Sequence, residues 1–404
     1  MLFVVLTVVQ GWHMEKLLGN IRVTMHGRRS ALPVRQGGLG LRSISDIAPA
    51  AYYSSRAATW QRCEAIYSSY SMDVGDPVRN AEQILLNRSG DNLNIPQLPC
   101  DEVAPTQQTI SWQLATWCFD QLCLRAGPFD RTRLGALRAP MVGRWLSATP
   151  LSDMHYTAAE LSTVCALHLG QDVFHGQSSC RFCNAVLDAK GIHAASCTAG
   201  GDMILRHNRV RDLIYSFCCR AALNAEVEKG GLLDEPGIFL DLSRPADVLV
   251  DGIGSGSRPQ ERVALDIKVI NALGQGHYND TQEGPLVAAE RYRVAACSRA
   301  RIFDRCAERG IRYEPLVFTT QGAMEKHSEA ILSQITDTIS RSEGREPGQI
   351  KSELLQAVSF SIAQSVAKAV MRRQPRYRYQ VPATEELDVL TEPMDDVPLD
   401  TGIT

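Results

Sequence analysis

A group of metal-ligand residue types between residues 175 and 200 restricts the possible folds more than any other part of the sequence. Cys180, Cys183, His193 and Cys197 follow the pattern C-x2-C-x9-H-x3-C. Two cysteines in one tight turn can bind one metal ion, and a His/Cys pair completes the tetrahedron of sulphur and nitrogen ligands that Zn²⁺ prefers. Four protein ligands leave no open position, so the spacing predicts a structural zinc element. The alternative is a set of free thiols beside an unrelated histidine.

His207 follows in the segment Arg206-His207-Asn208, at the start of a helix predicted for residues 203–223. It is a fifth candidate ligand for the same ion. Because the four residues above already fill a tetrahedron, we favour a role in packing or in hydrogen bonding to a ligand.

Composition narrows the functional classes. The chain has 404 residues, of which 44% are apolar, so it can form two or three domains. Its net charge is −3, so any nucleic-acid binding must depend on local basic patches. The 12 cysteines are scattered, several of them within apolar helical segments, which indicates a reducing, intracellular compartment. The apolar residues 1–9 are too few to cross a bilayer, and no membrane partner is predicted.

Two aspartates and a lysine lie on successive predicted strands. Asp247 belongs to a Val/Leu-rich strand at 246–251, and Asp266 and Lys268 belong to the strand 262–270. Because side chains alternate across a strand, Asp266 and Lys268 share one face, and the apolar residues beside them share the other. If the two strands pair as a hairpin, Asp247 and Asp266 converge on one divalent cation.

This arrangement suits phosphodiester hydrolysis. Carboxylates bind Mg²⁺ or Mn²⁺, the ion polarises the phosphate and acidifies a water molecule, and a lysine offsets the developing charge. Glu226 or Glu228, on the predicted strand 225–229, can add a carboxylate, depending on which of them faces the site. The alternative is an ordinary exposed strand, because alternating charges usually mark a solvated face.

The rest of the chain predicts further helices and strands. Gly37, Gly38 and Gly40 predict a turn before an Ala-rich helix at 49–60. Residues 70–110 are polar and interrupted by Pro and Gly, which predicts a linker.

Helices and one more strand are predicted after the aspartate strands. A long helix is expected at 284–308, followed by a strand at 313–319 and two more helices. In the last helix, apolar residues recur at spacings of three and four, which predicts one buried face; they are Leu355, Val358, Ile362, Val366 and Val370. The acidic segment beyond Pro375 is expected to be disordered.

Several segments resemble the C-terminal part of non-LTR retrotransposon reverse transcriptase polyproteins. Residues 32–60, with the sequence LP…GGLGLRS, are similar to the segment that follows the polymerase palm. Residues 141–374 are similar more extensively. The similar stretches are WLSATPL at 145–151, the Cys/His cluster, RHNRVRDL at 206–213, the strand pair and PLVFTTQGAM at 315–324.

This resemblance implies a CCHC zinc element followed by a restriction-like endonuclease of the PD-(D/E)xK type. In that family the nuclease nicks target DNA so that the polymerase can prime reverse transcription. By matching position, Asp247 is the first aspartate, Asp266 the (D/E) and Lys268 the lysine, and Tyr292 matches an aromatic position near the site. The implied cofactors are structural Zn²⁺ and catalytic Mg²⁺ or Mn²⁺. The implied partner is DNA, with RNA as a second candidate, in the nucleus.

The resemblance also implies an α+β fold with a restriction-endonuclease-like α/β core and C-terminal helices. We expect a remnant of the polymerase thumb region at 1–69 and a linker and helical region at 70–140. A helical segment with the zinc knuckle is expected at 141–200, the nuclease domain at 201–374 and the acidic disordered tail at 375–404.

Two departures from the family pattern matter. The family's Pro-Asp is Pro245-Ala246-Asp247 here, so one residue is inserted and the register of the first strand is open. The polymerase's Tyr-x-Asp-Asp motif is absent, and the segment before residue 40 is too short for a palm. We therefore expect a fragment of a longer reading frame, or a decayed copy, that does not copy RNA. The alternatives to a nuclease are an inactive zinc-containing nucleic-acid-binding module and a product without present activity.

Clustered arginines are the candidate nucleic-acid contacts. Arg206, Arg209 and Arg211 crowd the helix after the zinc element, and Arg291 lies on the predicted long helix. Such residues can neutralise phosphates. The alternative is the solvated face of an amphipathic helix. Alternating Arg and Tyr at 376–379 predict either a stacking surface for single strands or the end of a helix.

Overall fold

The structure, a computed structural model, describes residues 29–42, 44–72, 76–89, 92–100, 103–148, 154–233, 245–253 and 261–374. The expectations for residues 1–9, for the Arg/Tyr segment at 376–379 and for the acidic tail lie outside the described residues. Most of the predicted loop 252–261 lies outside them too.

Helices and 3-10 turns dominate the described chain before the zinc ligands. The helices are α1 (Ile44–Ile66), α2 (Pro77–Ser89), α3 (Gln107–Arg125), α4 (Pro128–Ala136) and α5 (Ala158–Leu169). The Ala-rich helix predicted at 49–60 is confirmed within α1. The glycine turn before it is confirmed as well, because Gly37 and Gly40 adopt φ values of 77° and 72°. A Cβ atom on Gly38 would lie 2.0 Å from the Leu32 carbonyl oxygen, so the turn requires glycine there.

Part of the linker predicted at 70–110 is helical. It contains α2, whose buried Val78 and Leu85 join a small core with Ala50 and Tyr53 of α1. Pro96, Pro99 and Pro105 lie between α2 and α3, while apolar spacing within α2 provides one buried face. The predicted domain limits at residues 69, 140 and 200 stay predictions.

Among its described residues, the C-terminal half combines a four-stranded sheet with helices on both faces. The strands are β1 (Asn224–Val227), β2 (Val248–Ile253), β3 (Glu261–Ile270) and β4 (Ile311–Thr319). The helices are α6 (Ile192–Ser196), α7 (Asp202–Arg220), α8 (Tyr278–Glu283), α9 (Val287–Ser298), α10 (Ile302–Glu308), α11 (Lys326–Glu343) and α12 (Pro347–Arg373). The expected α+β class is therefore confirmed.

The sheet has the order β1-β2-β3-β4. The first three strands run antiparallel, and β4 lies parallel to β3. On one face, Val263, Leu265 and Ile267 of β3 pack with apolar residues of α7, α11 and α12. The other face is covered by α9 and α10, which contact β4. The alternation predicted for β3 is thus confirmed, because Ala264 belongs to the core on the second face.

The helix predicted at 284–308 is interrupted. It consists of α9 and α10, separated by a 3-10 turn at Arg299–Arg301 in which Arg301 has a φ of 51°. The interruption turns the chain so that Cys306 of α10 packs with Ile311 and Tyr313 at the start of β4. A continuous helix would not bring this end of the segment onto the strand that follows.

Helix α12 supplies much of the C-terminal core. The five apolar residues predicted to form its buried face, Leu355, Val358, Ile362, Val366 and Val370, are all buried. Among the described helices, α12 alone is long and apolar enough to cross a membrane, but 67% of its apolar window is buried within the protein. It contacts α5, α7 and α11, as the central helix of a folded core does.

Candidate functional site

Four predicted zinc ligands converge on one point. The ligand atoms of Cys180, Cys183, His193 and Cys197 all lie within 4.8 Å of one another. The Cys197 Sγ atom lies 3.9 Å from Cys180 Sγ and 3.6 Å from Cys183 Sγ. Zn–S bonds of about 2.3 Å in a tetrahedron require sulphur atoms about 3.8 Å apart, so the spacing matches zinc coordination. The cluster can therefore hold a metal ion such as zinc.

Local hydrogen bonds shape the turn that carries the first two ligands. The amide of Cys180 donates to the Ala185 carbonyl over 2.7 Å, and the amide of Asn184 donates back to the Cys180 carbonyl over 2.8 Å. Asn184 adopts a φ of 60°, which lets the chain reverse within the turn. Both cysteines are thereby presented from a single tight loop.

Asp188 positions the histidine ligand. Its two carboxylate oxygens accept from the amides of Ile192 and His193, at 2.8 and 2.7 Å. These are unpaired donors at the start of the short helix α6. The His193 Nε2 atom then lies 3.3 Å from Cys183 Sγ.

The state of Cys180 favours a metal. Burial alone would raise the pKa of this thiol, but hydrogen bonds from the Phe182 and Cys183 amides and from His193 lower it to about 6. The thiolate is the form that binds metal ions.

The predicted aspartate hairpin forms in the structure. Strands β2 and β3 pair antiparallel with Val248 opposite Leu265, which places Asp247, just before β2, opposite Asp266. The Asp247 amide donates to the Leu265 carbonyl over 2.9 Å. Its Oδ2 atom accepts from the Ile267 amide over 2.7 Å. Asp247 thus forms hydrogen bonds with the residues on both sides of Asp266, despite the residue inserted before it.

Each carboxylate has a distinct set of partners. The Oδ1 atom of Asp266 lies 2.7 Å from the Lys268 ammonium, and its Oδ2 atom accepts from the Tyr313 hydroxyl over 2.6 Å. The Oδ1 atom of Asp247 lies 3.3 Å from His207 Nε2. Asp266 is only 8% exposed, so these contacts largely replace water.

The three ionisable side chains of the site have pKa values shifted in different directions. Burial would raise the pKa of Asp247, but His207, Lys268 and the Ile267 amide lower it below the ordinary value. Burial, together with the nearby Asp247, raises the pKa of Asp266 despite its contacts with Lys268 and Tyr313. Burial would lower the pKa of Lys268, but the two aspartates raise it, so the ammonium stays charged.

Two residues of this site were not placed there by the sequence. His207 was considered as part of the zinc element, but the structure brings its ring to Asp247, and the metal-ligand cluster does not include it. Tyr313 was predicted only as part of a strand. No spacing rule indicated either contact, because each joins segments that are distant in sequence.

The candidate third carboxylates lie elsewhere. Glu226 is exposed and pairs with Lys229 over 2.6 Å. Glu228 is exposed and forms an ion pair with Arg211. Neither residue adds a ligand to the Asp247 and Asp266 pair in this structure.

A cleft of about 490 Å³ lies beside the aspartate site, and its wall includes Ala195 and Ser196, between the cluster residues His193 and Cys197. His207 and Lys268, which contact the two aspartates, both line it. Tyr292 lines it too, so the predicted aromatic position lies beside the site. The other residues of its wall come from α6, the start of α7, the end of β3 and the loop before α8.

The four candidate nucleic-acid arginines differ in their surroundings. Arg206 is 2% exposed and donates to the Ala195 carbonyl over 3.0 Å. Arg209 is exposed, and its guanidinium donates to the Ser365 hydroxyl over 3.4 Å. Arg211 pairs with Asp212 and Glu228, and Arg291 pairs with Asp280 and Glu283. The charges of Arg211 and Arg291 are therefore largely offset.

The sequence matches no protein-family model and no curated protein.

Proposed function

We propose that the protein is a metal-dependent DNA endonuclease with a restriction-like site, built from Asp247, Asp266 and Lys268 beside a structural zinc element. The observation that carries this proposal is the β2–β3 hairpin, which sets Asp247 opposite Asp266. Lys268, which pairs with Asp266, lines a cleft beside them. The retrotransposon resemblance supplies the same three residues independently of their geometry.

The donor set fits Mg²⁺ or Mn²⁺. Magnesium usually binds through one or two carboxylates, keeps several water molecules and accepts substrate phosphate oxygens in the remaining positions. Asp266 supplies a buried carboxylate of this kind, and Asp247 supplies a half-buried one. The raised pKa of Asp266, caused by burial and by Asp247, is consistent with an excess of negative charge that a cation would offset.

The reaction is phosphodiester hydrolysis. A water oxygen forms a bond to phosphorus, one P–O ester bond breaks, and the water's proton passes to the leaving oxygen. A bound divalent ion would polarise the phosphate and acidify the attacking water.

Lys268 has a specific role in this scheme. Its raised pKa keeps the ammonium protonated at neutral pH, so it acts as a positive charge and not as a general base. Its ion pair with Asp266 holds it at the wall of the cleft, where it can stabilise charge that develops on the phosphate.

The zinc element holds one wall of the cleft. Arg206 of α7 is buried and donates to the Ala195 carbonyl of α6, the helix that also carries His193. Folding of the metal cluster would thereby order the part of the wall that α6 and α7 form. DNA is the expected substrate, and the exposed Arg209 is a candidate phosphate contact.

The test is nicking of supercoiled plasmid by the full-length, zinc-loaded protein. Reactions contain Mg²⁺, Mn²⁺ or no added divalent ion. The metal-free control omits the ion and uses no chelator, because a chelator would also remove zinc. We expect nicking that requires the added ion. Asp266→Asn should reduce the rate at least about 100-fold, since a metal ligand contributes several kcal/mol to the transition state.

Asp251→Asn is the matched control. Asp251 lies on β2 and pairs with Arg262 over 2.8 Å, at the other end of the hairpin. This variant should nick DNA as the parent protein does. Equal activity in the parent and in both Asp266→Asn and Lys268→Ala would refute the site.

A second candidate is an inactive zinc-containing nucleic-acid-binding module. One observation favours it: both oxygens of each aspartate already have a protein partner, namely His207, the Ile267 amide, Lys268 and the Tyr313 hydroxyl. Salt-sensitive DNA binding by folded protein that never nicks would select this function over the nuclease.

A further inference from the structure

The cleft beside the aspartate site has a wall of basic and aromatic side chains. Arg206, His207, Lys268 and His277 line it together with Tyr292. None of the described residues that line it is acidic. Its volume of about 490 Å³ is large enough for a small organic ligand.

Arg206 leaves a buried positive charge in this wall. Its Nε atom has no hydrogen-bond partner among the described residues, and its Nη1 atom donates to the neutral Ala195 carbonyl. Asp202 is the nearby acid, but its two oxygens already bind Arg372 and Arg373, each over 2.5 Å. The acid that acts on the charge of Arg206 is thus already paired with two other guanidinium groups.

Such an arrangement favours an anionic ligand. A buried charge is costly unless a counter-charge or a full set of hydrogen bonds compensates it. Burial lowers the pKa of Arg206 to about 10, although Asp202 opposes this shift, and the group still remains a cation at neutral pH. An anion in the cleft would therefore stabilise this part of the protein.

The aromatic part of the wall indicates what else the ligand contains. The rings of Tyr292 and His277 contact edge to face, with centroids 5.9 Å apart. Tyr292 also packs against a small apolar cluster that includes Ile270 and Val317, so its ring is held in place. A fixed aromatic ring beside cationic groups is how single-stranded nucleic acid is commonly bound.

We propose that this cleft binds one nucleotide of a DNA strand, with its phosphate at Arg206 and His207 and its base against Tyr292. The site rests on the proposed function for its choice of ligand. Because Lys268 lines the cleft and pairs with Asp266, the bound nucleotide adjoins the phosphate to be cleaved. The base at this position is therefore expected to be unpaired, or extruded from the duplex, when the strand is cleaved.

Calorimetric titration of the full-length, zinc-loaded protein tests the proposal without added Mg²⁺, so that cleavage plays no part. The probes are thymidine 5′-monophosphate, thymidine and inorganic phosphate. We expect the nucleotide to bind more tightly than either of its parts. Binding no tighter than that of inorganic phosphate would overturn the base subsite. Tighter binding of the matching ribonucleotide would assign the cleft to RNA and overturn the assignment to DNA.

Tyr292→Leu isolates the aromatic contact. We expect it to weaken nucleotide binding roughly 5- to 150-fold, the range for loss of one base–aromatic stack, and to leave phosphate binding unchanged. Tyr67→Leu is the control, because it makes the same change at a tyrosine that is 63% exposed and does not line the cleft. Equal affinities of Tyr292→Leu and the parent for the nucleotide would refute the proposal, provided that zinc content and circular dichroism show folded protein.

The two proposals fail separately. A protein that binds the nucleotide through Tyr292 but never nicks plasmid retains the cleft site and loses the nuclease. If the protein nicks plasmid but Tyr292→Leu changes neither binding nor cleavage of single-stranded DNA, the nuclease proposal stands and the cleft proposal is refuted.

Discussion

The hydroxyl of Tyr313 is expected to stabilise the folded protein through the ionised carboxylate of Asp266. Tyr313 is 3% exposed and donates to Asp266 Oδ2 over 2.6 Å, so water cannot replace the hydroxyl in Tyr313→Phe. Hydrogen bonds to charged groups contribute about 1.5–3 kcal/mol, against about 0.5–1.5 kcal/mol for neutral pairs. We therefore expect Tyr313→Phe to lower the free energy of unfolding by about 2 kcal/mol at neutral pH.

Tyr53→Phe is the matched control. Tyr53 is fully buried, and its hydroxyl donates to the neutral Pro96 carbonyl over 2.5 Å. Its loss should cost about 1 kcal/mol, as for a bond between neutral groups. This cost should not change with pH, because neither partner titrates in the accessible range.

The two variants should differ in their pH dependence. The Tyr313 hydroxyl lowers the pKa of Asp266, although burial and Asp247 leave that pKa above its ordinary value. Removing the hydroxyl raises the folded-state pKa further. The additional loss of unfolding free energy in Tyr313→Phe is therefore absent while Asp266 is protonated in both the parent and the variant. It appears as the pH rises through the two folded-state pKa values.

Urea unfolding of both variants and the parent, from about pH 4.5 to about pH 8, measures these differences. Each variant is compared with the parent at the same pH, which cancels effects of the zinc ligands. Losses that are equal in the two variants and constant with pH would refute the reasoning. In that case the hydroxyl of Tyr313 would not act on an ionised Asp266.

Two further predictions concern the zinc element and its attachment. Cys183→Ser should lose bound zinc and unfold at a lower urea concentration than the parent. Cys219→Ser is the control, because the exposed Cys219 lies outside the cluster, and it should keep the zinc content and the unfolding midpoint of the parent. Metal analysis and urea unfolding measure the two quantities. Asp202→Asn removes the carboxylate that buried Arg373 contacts over 2.5 Å, so it should lower the free energy of unfolding by about 3–5 kcal/mol. Asp212→Asn, at an exposed ion pair with Arg211, should lower it by at most about 1 kcal/mol. Similar melting temperatures of these two aspartate variants would contradict the buried pair.

Local patterns in the sequence determined much of the fold. Metal-ligand spacing identified the four residues of the Cys/His cluster, since a tight turn brings neighbouring cysteines together whatever the rest of the chain does. Strand alternation separated Asp266 from Ile267, because the pleat fixes opposite directions for successive side chains. The apolar spacing in α12 likewise identified its buried face.

Only the tertiary structure decided which distant residues meet. Whether Asp247 lies opposite Asp266 depended on the register of a hairpin with an inserted residue, and a shift of one residue would have turned it to the other face. The contacts of His207 and Tyr313 with the two aspartates join segments that the sequence does not relate. The same holds for Arg206, which looked like a surface cation on a helix but is buried against α6. Burial and partner choice depend on packing between elements, and no local pattern encodes that packing.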